Sequence, residues 1–232
     1  MGSEADRIAK AIVHVFETGT AKPDYGACSI LSDGAGISYG ASQATDKADS
    51  LDTIVFSYID KGGRLGEKLR PYLDGLDLDD SAKVDPNAPK TWPTWLHDLI
   101  RLLKEAGADP VMMTVQDRIF DERYLAPAKR MCEEMGLHTP LALAVVYDTC
   151  IQSGVGGVAN IRKRFAEAPP SRGGNEVAWV KAYIAARKKW LAAFSNPLVQ
   201  KTVYRMEAFE KIVAEGNWNL NAPLKVRGVT LT

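Results

Sequence analysis

The sequence predicts a mainly helical protein of the α+β class, with one small β-lobe at about residues 24–43. The first observation is an amphipathic helix from about Glu4 to Glu17, in which apolar residues recur at helical intervals. The second is the glycine-punctuated segment that follows, where short strand-like stretches flank a tight turn. The third is the helical periodicity that returns from Asp46. Together they indicate a helical framework with a short sheet inserted after the first helix.

Length and charge limit the possible organisation and partners. A chain of 232 residues, of which 46% are hydrophobic, can bury a full core as one large domain or as two lobes that share a helix. The 29 Lys and Arg residues equal the 29 Asp and Glu residues, so global charge favours neither nucleic acid nor a membrane surface as a partner. We expect a monomer without membrane insertion. A polycationic substrate would need a local acidic cleft.

The three cysteines, Cys28, Cys132 and Cys150, are too widely spaced to predict a disulfide framework or a metal site. Cys150 falls in an apolar helical pattern, which favours a buried thiol. No run is long and apolar enough for a membrane span, and residues 1–20 lack the apolar core of a signal peptide.

Beyond the β-lobe the periodicity predicts a series of helices. The first of these helices begins at Asp46, and a nearly all-apolar helix is expected at 139–148. The other predicted helices cover about Leu65 to Leu73, Trp92 to Ala106, Val111 to Tyr124, Tyr124 to Met135, Glu176 to Phe194 and Pro197 to Glu215. The Gly-, Pro- and Asp-rich stretch 62–90 is interpreted as a connection or rim loop. In the apolar helix Thr139 is the expected N-cap, with Pro140 at the first helical position. Asp148 lies in the same helix and therefore needs partners, because an unpaired buried charge is costly.

Two carboxylates frame the β-lobe. Glu17 ends the first helix beside its apolar face, and apolar surroundings favour the protonated form that a general acid requires. Asp33 precedes Gly34 and Gly36 in a tight turn, where we expect a solvated and ionised carboxylate. One acid and one base that face each other across a cleft form the arrangement used in glycoside hydrolysis.

The order of these residues resembles the catalytic region of the chitosanases of glycoside hydrolase family 46, which are relatives of lysozyme in fold. That family has a Glu at the end of its first long helix as general acid and an Asp in a D-G-x-G turn as general base. A hydroxyl residue a few positions later helps to hold the attacking water. The resemblance assigns these roles to Glu17, Asp33 and Ser38. This sequence departs from the family at Ser38, which is usually Thr, and at Ala35, where a basic residue is often found.

The resemblance also implies a supporting network and one substrate contact. It places Asp148 between Arg187 and Arg205, in a network that holds the catalytic acid, although a purely structural Arg–Asp–Arg triad is the alternative. Asp49 matches an acidic residue that binds amino sugars in the family, and Tyr39 is a second candidate for substrate binding. A solvated helix charge is the alternative for Asp49.

The resemblance extends over about residues 5–228. A Q-x-x-x-x-D-E-R run at Gln116 to Arg123 implies a bent helix that connects two lobes, and the usual His after the apolar helix is absent from Gln152 to Gly157. The family pattern therefore implies one lysozyme-like domain at 1–232, made of two lobes with a substrate cleft between them. The closing stretch at 216–228 is similar to a terminal motif of the family, and no chemistry is assigned to it.

The resemblance implies an inverting endo-glycoside hydrolase that cleaves β-1,4 bonds of an amino-sugar polysaccharide without a metal or organic cofactor. Inversion requires the two carboxyl groups to lie roughly 6.5–9.5 Å apart, which leaves room for water. Chitosan is the favoured substrate, and a peptidoglycan-degrading enzyme of phage or bacterial origin is the alternative. A non-catalytic glycan-binding module is a further alternative. In each enzymatic case we expect action outside the cytoplasm, after secretion or after release at lysis.

Overall fold

The computed structural model describes residues 3–32, 36–45, 50–74 and 83–232, and within them it confirms a mainly helical fold. The α-helices are α1 (Glu4–Thr18), α2 (Ser50–Asp60), α3 (Gly66–Asp74), α4 (Thr94–Ala106), α5 (Pro110–Phe120), α6 (Ala126–Met135), α7 (Pro140–Ser153), α8 (Val155–Arg162), α9 (Glu176–Ala192), α10 (Pro197–Gln200) and α11 (Tyr204–Ala214). The strands are β1 (Cys28–Ile30), β2 (Ile37–Tyr39), β3 (Ala44–Thr45), β4 (Leu224–Val226) and β5 (Val229–Leu231).

The chain divides into two compact units. Unit 1 consists of Met1–Lys22 and Asp121–Thr232, and unit 2 consists of Pro23–Phe120. Each unit has a hydrophobic core of its own. Glu17 and the predicted network residues belong to unit 1, whereas the strands on either side of the predicted turn belong to unit 2.

Helix α7 is the central helix of unit 1, as its composition predicted. Thr139 caps it by accepting a hydrogen bond from the backbone N–H of Ala142, and Pro140 occupies the first helical position. Helices α1, α6 and α8 pack against α7. Within the described residues no single helix is long and apolar enough to cross a membrane; α7 and α8 together meet the length and composition criteria, but they are bent by 114° at their junction.

Helix α1 is fixed at both ends. Ser3 and Asp6 form a reciprocal capping box at its start, and Gly19 ends it with a left-handed φ of 78°. The apolar stripe predicted from the sequence is buried, and it comprises Ile8, Ile12, Val15 and Phe16. Because the helix stops just beyond Glu17, that residue lies in the last turn, where its side chain is partly exposed at the end of a buried helix.

The three-stranded antiparallel sheet of unit 2 confirms the predicted β-lobe. Strand β2 is central, and Ser38 pairs with Ser29 on β1 and with Thr45 on β3. Ile37 and Tyr39 flank Ser38 and are fully buried in the core of unit 2. Since successive side chains of a strand point to opposite faces, Ser38 lies on the other face, in a row of three hydroxyl-bearing residues.

A buried glutamine fixes the end of this sheet. The Nε2 atom of Gln116, on α5, donates to the carbonyl of Tyr25 at 3.0 Å, and its Oε1 atom accepts from the backbone N–H of Ala41 at 3.0 Å. Gly40 lies directly beneath this amide with a φ of 78°. The side chain of Gln116 therefore connects the segment before β1 to the turn after β2.

Four features differ from the predicted helices. A π-helical turn at Asp121–Leu125 separates α5 from α6, and a 3-10 turn at Lys201–Val203 separates α10 from α11, where one helix was expected. In that 3-10 turn the hydroxyl of Thr202 donates to the carbonyl of Val199 at 2.6 Å, a local bond that competes with regular helix geometry. Helix α8 and the hairpin of β4 and β5 were not predicted.

We predict that Gly40→Ala destabilises the protein more than Gly62→Ala does. Both glycines have a positive φ, which costs a non-glycine residue about 1–2 kcal/mol. A Cβ atom at Gly62 would meet no atom within 4 Å. A Cβ atom at Gly40 would lie closer to Oε1 of Gln116 than the sum of their van der Waals radii permits. Urea unfolding followed by circular dichroism measures both losses, and equal losses would contradict the close packing of Gly40 against Gln116.

Candidate active site

Glu17 is held by an arginine. Its Oε1 atom accepts a hydrogen bond from Nη2 of Arg205 at 2.6 Å, and 32% of its side chain is exposed. The expectation of apolar walls around this carboxyl group is wrong, because its partner is a charged guanidinium. Periodicity within α1 identified the buried stripe but could not show that α11 places Arg205 against the end of α1.

Two neighbouring residues at the start of α11 bind two neighbouring residues at the end of α1. Besides the contact between Arg205 and Glu17, the hydroxyl of Tyr204 donates to the carbonyl of Phe16 at 2.8 Å. The guanidinium of Arg205 also lies 5.5 Å from the centre of the Phe16 ring. The position of the Glu17 side chain therefore depends on where α11 begins. Sequence reasoning missed Tyr204, for which adjacency to Arg205 was the only signal.

Asp148 lies between two buried arginines, as its burial in α7 required. Its Oδ1 atom accepts from Nη1 of Arg205 at 2.7 Å, and its Oδ2 atom accepts from Nη1 of Arg187 at 2.6 Å. Asp148 and Arg187 are 0% exposed, and Arg205 is 3% exposed. The expectation that Asp148 has charged partners is confirmed. Glu17, Arg205, Asp148 and Arg187 thus form a row of alternating charges.

The two carboxylates keep Arg205 charged. Burial lowers the pKa of its guanidinium, but Asp148 and Glu17 outweigh that effect and raise the pKa above its usual value. Each carboxylate binds a different terminal nitrogen of the planar group. Because a guanidinium is rigid, fixing one nitrogen on Asp148 also fixes the direction of the other toward Glu17.

Ser38 and Tyr39 have different environments, although they are adjacent on β2. The hydroxyl of Ser38 makes no hydrogen bond to any residue in the described part of the chain, and the residue is 5% exposed. Tyr39 is fully buried, and its hydroxyl donates to the carbonyl of Leu103 at 2.8 Å. Burial raises the pKa of Tyr39 above its usual value. The expectation that Tyr39 binds substrate needs correction, because no surface of this side chain is open to a sugar.

Asp33 and Asp49, the predicted base and a predicted substrate contact, lie outside the described residues. Within the ranges that the structure describes, no group of three or more His, Cys, Asp or Glu side chains is placed to hold a metal ion.

Cys150 is buried, as predicted, and burial raises the pKa of its thiol to about 11.

Comparison with known families identifies the class of this protein. Residues 11–224 match the model of Glycosyl hydrolase family 46. The protein is thus a glycoside hydrolase with a lysozyme-like fold, which confirms the enzyme class inferred from the sequence. More specifically, the chain belongs to glycoside hydrolase family 46.

Its relatives include chitosanases of known structure. A chitosanase from Bacillus subtilis (strain 168) is 29% identical over 240 residues, which cover 98% of this chain and 83% of that protein. The family 46 chitosanase of Gynuella sunshinyii, in complex with chitotetraose, is 25% identical with a TM-score of 0.79, over 100% of this chain and 98% of that chain. A mutant chitosanase from Bacillus subtilis MY002, complexed with 6 GlcN, is 27% identical with a TM-score of 0.79, over 98% and 95% of the two chains.

We predict that Asp148→Asn lowers the free energy of unfolding by about 3–5 kcal/mol, because it leaves two buried guanidinium groups without their shared counter-charge. Urea unfolding of the purified variant measures this loss, and failure to fold at room temperature would agree with it.

Glu210→Gln is the matched control, since it also converts a carboxylate to an amide. Glu210 pairs with Lys188 at 2.7 Å, but their side chains are 44% and 33% exposed, so its loss should cost no more than about 1 kcal/mol. Similar losses for the two variants would contradict the structural importance of Asp148.

Proposed function

We propose that the protein hydrolyses β-1,4 bonds within chitosan with inversion of configuration, and that Glu17 is the general acid. The observation that carries this proposal is the contact of Glu17 with Arg205, which is itself fixed by buried Asp148. Membership of family 46 supports the reaction class, and the chitosanases described above support the substrate. These relatives favour chitosan over peptidoglycan, and a catalytic role over glycan binding alone.

The contact with Arg205 fixes the position of Glu17 and leaves one of its two oxygens accessible. Only its Oε1 atom accepts a hydrogen bond from the described residues, and its side chain remains about one-third exposed at 32%. The second oxygen is therefore free to carry a proton to the glycosidic oxygen. As that proton moves, the bond between the anomeric carbon and the leaving oxygen breaks.

We assign the other half of the reaction to Asp33 and Ser38. In this proposal Asp33 accepts a proton from a water molecule while the water oxygen forms the new bond at the anomeric carbon, from the face opposite the leaving group. Ser38 helps to orient that water. The hydroxyl of Ser38 is suited to this role because it is not used in any hydrogen bond within the described part of the sheet.

Substrate recognition and location complete the proposal. Asp49 binds an ammonium group of the amino sugar, a charge-assisted contact that supplies local attraction for a cationic substrate where the neutral overall charge of the chain supplies none. Tyr39 does not contact the substrate, because its side chain is buried. The enzyme acts as a monomer. It acts outside the cytoplasm, where a polysaccharide that is too large to enter cells is accessible.

We predict that Glu17→Gln lowers kcat on chitosan by about 10²–10⁴-fold, because an amide cannot donate the proton that a general acid supplies. Release of reducing sugar from chitosan and from purified peptidoglycan, by wild type and variant side by side, measures the effect. The anomer of the first product, followed by NMR, tests inversion in the same reaction.

Glu210→Gln again serves as the control and should retain wild-type activity. The role of Glu17 is excluded if the Glu17→Gln enzyme keeps more than a tenth of the wild-type rate. A wild-type enzyme that releases sugar from peptidoglycan but not from chitosan would overturn the proposed substrate.

A further inference from the structure

The hydrogen-bond network that contains Asp148 and Arg205 continues beyond Arg187 to uncharged side chains. The second terminal nitrogen of Arg187, Nη2, donates to Oε1 of Gln152 at 2.6 Å. The Nε2 atom of Gln152 then donates to the hydroxyl of Thr202 at 2.6 Å. Gln152 lies one helical turn after Asp148 on α7, so both residues face the same buried guanidinium.

The direction of each hydrogen bond in this extension is fixed. The hydroxyl of Thr202 gives its proton to the carbonyl of Val199, so toward Gln152 it can only accept. Arg187 has donors and no acceptor, so it requires the oxygen of the amide. The amide of Gln152 can therefore adopt only one orientation, with its nitrogen toward Thr202 and its oxygen toward Arg187. Neither a carboxylate nor an apolar side chain satisfies both ends.

Thr202 lies close to the start of α11. It lies in the 3-10 turn Lys201–Val203, directly before Tyr204 and Arg205. Helix α7 is thus connected to this region twice, by Asp148 to Arg205 and by Gln152 to Thr202. A single contact would restrain only the position of the segment 202–205. Two contacts at separate points also restrain its rotation.

Resting on the proposed role of Glu17, we propose that Gln152 and Thr202 are positioning residues that set the orientation of Arg205 and, through it, aim the carboxyl group of Glu17. Neither residue touches the substrate in this account. Their hydrogen bond acts on proton delivery to the leaving group, so its loss lowers kcat and leaves KM nearly unchanged.

The test uses the full chain and three variants of this hydrogen bond. Gln152→Met and Thr202→Val keep the side-chain volume but remove the bond, and Thr202→Ser keeps the hydroxyl. We predict that the first two lower kcat on chitosan by about 3- to 100-fold, because small displacements of a catalytic group have large kinetic effects. KM should change by less than about twofold. Thr202→Ser should retain wild-type kcat.

A second substrate separates proton delivery from general damage to the fold. A chito-oligosaccharide with a dinitrophenyl leaving group needs no protonation to depart. On this substrate Gln152→Met, Thr202→Val and Glu17→Gln should all approach the wild-type rate. Thr139→Val is the stability control, since it removes the cap of α7 and should lower the melting temperature without changing kcat at temperatures well below it.

The outcomes that contradict the positioning role can be distinguished from the outcome that contradicts the proposed function. If Glu17→Gln is inactive on chitosan but Gln152→Met and Thr202→Val have wild-type kcat, the positioning role is wrong and the proposed function stands. Equal losses on both substrates, or a Thr202→Ser enzyme as slow as Thr202→Val, also overturn the positioning role. A Glu17→Gln enzyme that is active on chitosan overturns the proposed function and this inference together.

Discussion

The structure of unit 1 depends on how the charge of Asp148 is compensated inside the protein. This carboxylate is 0% exposed and lies in a helix that is otherwise nearly all apolar, so it must be neutralised by groups that come from other helices. Arg187 on α9 and Arg205 on α11 supply the two positive charges. A buried ion pair is weak evidence for net stability, but it strongly disfavours arrangements in which one partner is missing. The three helices α7, α9 and α11 are therefore held in one specific arrangement.

The same charges connect the core of unit 1 to its partly exposed candidate acid. Arg205 is shared between Asp148 and Glu17, and the neighbouring Tyr204 binds the backbone of Phe16. The end of α1 is thus fixed against the start of α11 through both side chain and backbone. Holding a catalytic group in place before the substrate arrives removes the cost of ordering it during the reaction. In this view the buried network contributes to catalysis by limiting where the carboxyl group of Glu17 can go.

Parts of this arrangement could be predicted from the sequence, and the reasons are physical. Helix α1 and its end at Gly19 follow from local periodicity and backbone preference, and the need of Asp148 for partners follows from its burial. The identities of those partners came from family resemblance. Contacts such as Tyr204 with Phe16, 188 positions apart, and Gln152 with Thr202, 50 positions apart, depend on tertiary packing that no local pattern encodes. The hydrogen bond from the hydroxyl of Thr202 to the carbonyl of Val199 also lies where the helix predicted from Pro197 to Glu215 is interrupted. Hydrophobic periodicity alone did not indicate that interruption.

The most direct test of this account is the kcat of Arg205→Lys on chitosan. Lysine keeps the positive charge but has a single nitrogen, so it cannot bind Asp148 and Glu17 with two atoms of one rigid plane. We predict a folded enzyme whose kcat is at least about tenfold below that of the wild type, with little change in KM. A wild-type kcat in a folded Arg205→Lys enzyme would show that charge alone suffices and that the two-sided guanidinium contact does not position Glu17.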